Sequence, residues 1–167
     1  MATHVVEQSA RVVELQGTGR GTAASDALRV LVPLGRLCFV VIFLLSAPLH
    51  FTRTGIDYAA SQGVPMANLL VPLSGALALV GGLSVLLGWK TRFGALLLIL
   101  FIVPVTLGMH RFWAMPSGPE AMVERVMFFK NLSILGGALL LAYFGGGPYS
   151  IDARSEHTVT RRDPYAA

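Results

Sequence analysis

The sequence predicts an all-α integral membrane protein: a four-helix bundle, antiparallel and up-down-up-down, with flexible polar tails at both ends. Three observations carry this. Four apolar blocks fill most of the chain, at residues 28–51, 66–89, 93–110 and 126–144, and a helix needs about 20 mostly apolar residues to cross the hydrocarbon of a bilayer. Only 13% of the 167 residues are charged and 54% are hydrophobic, whereas a soluble domain carries about a quarter charged residues. The connections between blocks are short and polar, as in bundles whose neighbouring helices run in opposite directions. Lipid is therefore the solvent for most of the molecule.

The elements follow in order. Residues 1–27 contain Gly17, Gly19 and Gly21 among Thr, Ser and scattered charges, a composition that reads as a flexible tail. The first block follows this long polar leader and exceeds the apolar region of a cleavable signal, so it is read as a span. Cys38 lies inside it as the only cysteine, which excludes an intramolecular disulfide; it reads as a small packing residue. The second block carries Ser74, Ala78 and Gly82 four apart, with Gly81 alongside. Helices in lipid associate through close backbone approach at such small residues. Residues 88–92 leave room only for a tight turn into the third block. In the fourth block Ser133 and Gly137 repeat the four-residue spacing, and Gly145-Gly146-Gly147-Pro148 ends the helix. The domain is thus drawn at 28–151, with a second polar tail at 152–167.

Charge sets the expected orientation. Eight lysines and arginines (Arg11, Arg20, Arg29, Lys90, Arg92, Arg154, Arg161, Arg162) fall on the side of the two tails. Arg53, Arg111 and Arg125 fall on the other. The richer side is normally cytoplasmic. Both termini are therefore expected in the cytoplasm, with residues 50–65 and 110–125 facing outward. The net charge of +4 is accounted for by this flanking pattern. No basic stripe is interleaved with exposed aromatics, so nucleic acid is not a partner.

Ionisable residues within the spans are the sharpest functional signal, because an unpaired charge in hydrocarbon is costly. Arg36 lies one or two turns inside the first span, and Asp152 follows the fourth on the same side; a structural ion pair would neutralise both. Snorkelling of Arg36 to lipid phosphate competes with it. Lys130, followed by Asn131, lies near the outer end of the fourth span. Its partners would be Glu120, Glu124 or a ligand, or it too snorkels. His50 and His110 end the first and third spans on that same outer face, and Arg111 and Trp113 follow His110. An outer pocket of His50, His110, Arg111, Trp113, Lys130 and Asn131 could bind a quinone head group and relay protons. No metal site is assigned, since a third ligand at diagnostic spacing is missing. No catalytic constellation is assigned either: no serine occupies a nucleophile elbow, and no phosphate-binding glycine loop follows a strand.

Several segments together resemble the DoxX family. They are Gly35-Arg36-Leu37, Val80-Gly81-Gly82-Leu83, Leu87-Gly88-Trp89-Lys90-Thr91-Arg92, Met109-His110-Arg111-Phe112-Trp113, Lys130-Asn131-Leu132 and Gly147-Pro148-Tyr149-Ser150-Ile151-Asp152. The resemblance spans about residues 28–152 and implies a four-helix bundle in a prokaryotic cytoplasmic (inner) membrane, similar to the small membrane subunit of thiosulfate:quinone oxidoreductase. It implies recurrent polar positions at Arg36, His110, Lys130, Asn131 and Asp152. Where many members carry a glutamate, this chain has Ala78. The function expected on this basis is a redox-associated, quinone-facing accessory subunit with no electron-carrying cofactor of its own. The alternatives are a structural or assembly subunit of a larger membrane complex, and a carrier for a small anion or lipid. The expected partners are the bilayer, other membrane or periplasmic subunits, or a second copy of the chain.

Overall fold

A computed structural model describes residues 27–155. Of the tails expected at 1–27 and 152–167, residues 1–26 and 156–167 lie outside the described residues, while residues 152–155 are helical. Among the described residues the protein is helical, with no strand and four helices long and apolar enough to cross a membrane: Ala27–Phe51, Ala67–Leu87, Thr91–Ala114 and Pro119–Phe144.

The first spanning stretch contains α1, Leu31–Ser46, and ends in a 3-10 segment, Ala47–Phe51, with Pro48 in its first turn. A proline cannot donate to the preceding turn, and the helix tightens there. Thr52 then takes an extended conformation, and its hydroxyl oxygen accepts the Gly55 N–H at 3.1 Å. This cap starts a short helix, α2, Arg53–Ser61, in a stretch expected to be loop. Ile56 and Ala59 bury one side of α2 against Ala67 and Val71 at the start of α3, Ala67–Leu87. Two apolar residues three apart are enough to seat nine residues, but too few to announce a helix from sequence.

Gly88 and Lys90, both left-handed at φ of 66° and 47°, turn the chain from α3 into α4, Thr91–Met109. The two helices meet almost backbone to backbone. A Cβ on Gly81 would come within 2.9 Å of both the Gly94 carbonyl oxygen and a Leu98 methyl. Only glycine permits this approach, which substitutes for the hydrophobic drive that lipid does not supply. A 3-10 turn, Phe112–Ala114, leads to α5, Pro119–Phe144. This helix starts seven residues before the apolar block that marks it in sequence. Pro119 sits at the helix start, where its missing N–H is harmless, and Glu120 occupies the first turn, where a negative charge favours the helix dipole.

Helix α1 packs on α3, α3 on α4, and α4 on α5. Phe39 of α1 also reaches Gly137 of α5. The core between them holds Val40, Phe43, Ala78, Val85, Leu98 and Phe101, with Phe43 and Phe101 edge to face at 5.8 Å. Large apolar side chains point outward on every spanning helix, among them Leu45, Leu69, Leu100 and Leu140. A monomer dissolved in water rarely tolerates so much exposed apolar surface.

Candidate functional site

Polar side chains gather at the two ends of the bundle. At the Lys90 end, the chain leaving α5 passes Gly145–Gly147 and forms a last helical turn at 151–155. Asp152 docks this turn onto the start of α4. Its carboxylate accepts the Lys90 N–H at 2.7 Å, the Thr91 N–H at 2.9 Å and the Thr91 hydroxyl at 2.9 Å. In return the Asp152 N–H donates to the Gly88 carbonyl at 2.9 Å. Lys90 provides no side-chain cap for α4, so Asp152 supplies that cap from 61 residues away. Partial burial alone would push the Asp152 carboxyl up. The Thr91 and Lys90 N–H groups, the Thr91 hydroxyl and the Arg36 charge outweigh it and hold the carboxyl below its ordinary value.

Arg36 enters the same junction from α1 with only 3% of its surface exposed. Its Nη2 donates to the Tyr149 carbonyl at 2.8 Å, while Nε and Nη1 have no hydrogen-bond partner. Asp152 and Arg36 act on one another electrostatically, but the carboxylate oxygens are bonded to the α4 terminus. Gly88 lies directly against the guanidinium: a Cβ there would stand 2.0 Å from Nη1. Thr91, Tyr149 and Ser150, the remaining parts of this clasp, carry no charge pattern that sequence reading could have picked out.

At the opposite end, His110 closes α4 and its Nδ1 lies 2.6 Å from Glu124 Oε2 on α5. Arg111 donates from Nη2 to the Gln62 carbonyl at 3.0 Å, tying the loop after α2 to the loop after α4. Between them opens a cleft of about 570 Å³, lined by Tyr58, Gln62, Met109, Arg111, Met115, Glu120 and Glu124 among others. Of the six residues expected to share an outer pocket, Arg111 lines this cleft and His110 is bonded to its wall. The other four lie elsewhere. His50 bonds to the Ser46 carbonyl at 3.1 Å and stacks edge-on against Phe101. Trp113 packs with Phe112 and Phe128. Lys130 is exposed and its Nζ meets the Met127 sulfur at 3.2 Å. Asn131 is buried. Of the small residues singled out for helix contact, Ala78, Gly81 and Gly82 are buried, Ser74 and Gly137 are half-buried and Ser133 is exposed. Tyr58 and Gln62 were hidden in sequence because α2 itself was. Among the described residues no three of His, Cys, Asp and Glu stand close enough to hold a metal ion.

A bundle of four apolar helices with polar clusters confined to its ends defines a small multi-pass membrane protein. Comparison with known proteins gives its family. The chain belongs to the SURF4 family, whose model matches residues 66–157. It is 32% identical over 128 residues to the inner membrane protein YphA of Escherichia coli K12, covering 75% of this chain and 90% of that protein. It is 41% identical over 96 residues to the inner membrane protein YqjF of the same organism, covering 58% of this chain and 68% of the relative. A Surfeit locus protein 4 homolog from Schizosaccharomyces pombe is 28% identical over 123 residues, which cover 73% of this chain but 36% of that longer protein. No solved structure gives a significant match.

The resemblance to DoxX is thereby corrected: the matching family and relatives are SURF4, YphA and YqjF. The segments that suggested DoxX are a glycine pair at a helix contact, a basic turn, an interfacial aromatic pair and a glycine-proline stop. Such parts are common in membrane helices whatever their family. The redox and quinone expectations leaned on that resemblance, and nothing in the relatives' names carries them.

Proposed function

We propose that this protein is a non-catalytic assembly subunit of a larger inner-membrane complex, and that α5 is the helix it presents to a partner. The observation that carries this is the bareness of α5. Only 11% of its most apolar stretch is buried, against 22%, 39% and 33% for the other three spans. The bare surface is also not purely apolar. Lys130 and Ser133 are exposed on it, and Gly136 has open space where a side chain would go. Small residues admit a second helix closely, and a lysine at this depth is stabilised by an opposite charge. The acids of α5, Glu120 and Glu124, lie in its first two turns and no acid lies deeper in any span, so a second copy offers no carboxylate at the depth of Lys130. The fitting partner is a transmembrane helix of another protein with a carboxylate level with Lys130.

The orientation belongs to the same proposal: the Lys90 end and both tails, 1–27 and 152–167, face the cytoplasm, and the His110 end faces outward. The excess of lysine and arginine around the Lys90 end supports it; the inner-membrane relatives support the choice of membrane. Extraction in a mild detergent, followed by native mass measurement, tests the assembly. The wild-type chain is expected in a complex larger than itself, and Lys130→Ala combined with Gly136→Leu is expected to release it. A wild-type chain that leaves the membrane only as a monomer with bound lipid contradicts the proposal.

A further inference from the structure

The start of α4 binds an anion, and that anion is the chain's own Asp152 carboxylate, held by the Lys90 and Thr91 N–H groups and the Thr91 hydroxyl. Arg36 stands beside these donors, 3% exposed, with Nε and Nη1 unpartnered among the described residues. Its Nη1 and the Thr91 hydroxyl oxygen lie 3.2 Å and 2.6 Å from one point, the place a Cβ on Gly146 would take. Asp152 acts on Arg36 electrostatically, but its Oδ1 is bonded to Lys90 and its Oδ2 to Thr91. The junction thus holds more donors than its occupant meets, and unmet buried donors weigh against the closed arrangement. Among the described residues this end carries Arg29, Arg36, Lys90, Arg92 and Arg154 against one acid, Asp152.

We infer that residues 145–155 form a strap that competes with a phosphate group for the α4 N-terminus and Arg36. Backbone N–H groups at a helix start take phosphate oxygens, and a guanidinium binds phosphate through two N–H groups at once. A phosphate has oxygens for both; the Asp152 carboxylate has committed its two. The strap has a hinge, because Gly145 and Gly147 are left-handed at φ of 80° and 64° and glycine leaves such conformations without steric cost. The site beneath does not depend on the strap. The Ser84 hydroxyl donates to the Trp89 carbonyl at 2.6 Å, the Trp89 N–H donates to the Ser84 carbonyl at 3.0 Å, and the Gly94 N–H donates to the Lys90 carbonyl at 3.0 Å. The Lys90 and Thr91 N–H groups therefore keep their direction when Asp152 leaves. Trp89, exposed in the turn, marks the level of the lipid headgroups. The phosphate is that of an anionic lipid or the free ion, and with the strap down neither reaches Arg36. The inference does not depend on α5 meeting a partner.

The test uses the full chain in detergent, titrated with dioleoyl-phosphatidylglycerol, with bound lipid counted by native mass measurement. Asp152→Asn keeps the shape of the strap without its charge. It is expected to bind the lipid about fivefold tighter than the wild type, because the competitor is weakened. Dioleoyl-phosphatidylcholine, whose headgroup has no net charge, is expected to show no such gain. Arg36→Gln in the Asp152→Asn chain is expected to lose the gain, whereas Arg53→Gln, at an exposed arginine of the opposite end, is expected to keep it. Inorganic phosphate that displaces the lipid assigns the site to the free ion as well; lipid that stays bound assigns it to the headgroup alone. Hydrogen exchange of the wild type needs no substitution and stands even if Arg36→Gln does not fold. Bound phosphatidylglycerol should speed exchange at the Asp152 N–H, which donates to Gly88 while the strap is down. Binding no tighter in Asp152→Asn, a gain that survives Arg36→Gln, an equal gain for phosphatidylcholine, or Asp152 exchange unmoved by bound lipid overturns the inference.

Discussion

Replacing Asp152 by alanine should loosen the whole Lys90 end of the bundle, and the size of the effect can be worked from its contacts. The substitution removes a helix cap, costing about 1 kcal/mol, and a negative charge at a helix N-terminus, costing about 0.3–1 kcal/mol. The two freed N–H groups then fare differently. Lys90 is exposed, and water can replace its acceptor. Thr91 is fully buried, so its N–H and hydroxyl are left unsatisfied at about 1–3 kcal/mol. The total is about 3 kcal/mol, roughly a hundredfold in the unfolding equilibrium. Asp152→Asn keeps one acceptor oxygen and should cost about 1 kcal/mol. The assay is reversible unfolding in mixed micelles, followed by circular dichroism and by fluorescence of Trp89, which stands beside Lys90 in the turn. Asp152→Ala unfolding at the wild-type midpoint would refute the reasoning, because the cap would then contribute nothing.

Other outcomes follow from the same contacts. The Asp152 carboxyl is held below its ordinary value, so its stabilisation is present above about pH 3.9 and is lost as pH falls through the lower, folded-state value. Acid titration of the wild type should show that loss, and Asp152→Asn should lack it. Gly88→Ala places a Cβ 2.0 Å from the Arg36 guanidinium at a φ of +66°. Strain from the left-handed backbone alone is worth about 1–2 kcal/mol, so the variant should unfold earlier than an alanine at Gly118, where a Cβ meets nothing within 4 Å.

The spans were legible because a bilayer demands one thing of sequence, a long apolar run, and all four runs are present. Helix α2 and the first two turns of α5 were not. Both are polar segments outside the apolar runs. One is held by a threonine cap and two buried residues, the other by Pro119 and a glutamate in its first turn. At the Lys90 end, Arg36 and Asp152 stood out because charge at the membrane edge must be answered. What answers Asp152 is backbone: the N–H groups of Lys90 and Thr91 have no sequence signature. At the other end, periodicity could place His110 and Glu124 near the same face, but not decide that Glu124 meets His110 while Lys130 meets Met127.

Cysteine labelling in intact cells tests most directly the central claim, that four helices thread lipid and leave the Lys90 and His110 ends on opposite faces. With Cys38 replaced by alanine, single cysteines would stand at Ser117, in the loop before α5, and at Arg92, beside the α3–α4 turn; both positions are exposed. A membrane-impermeant maleimide should label Ser117→Cys in intact cells and Arg92→Cys only after the membrane is opened. Equal labelling of both from outside would contradict the account.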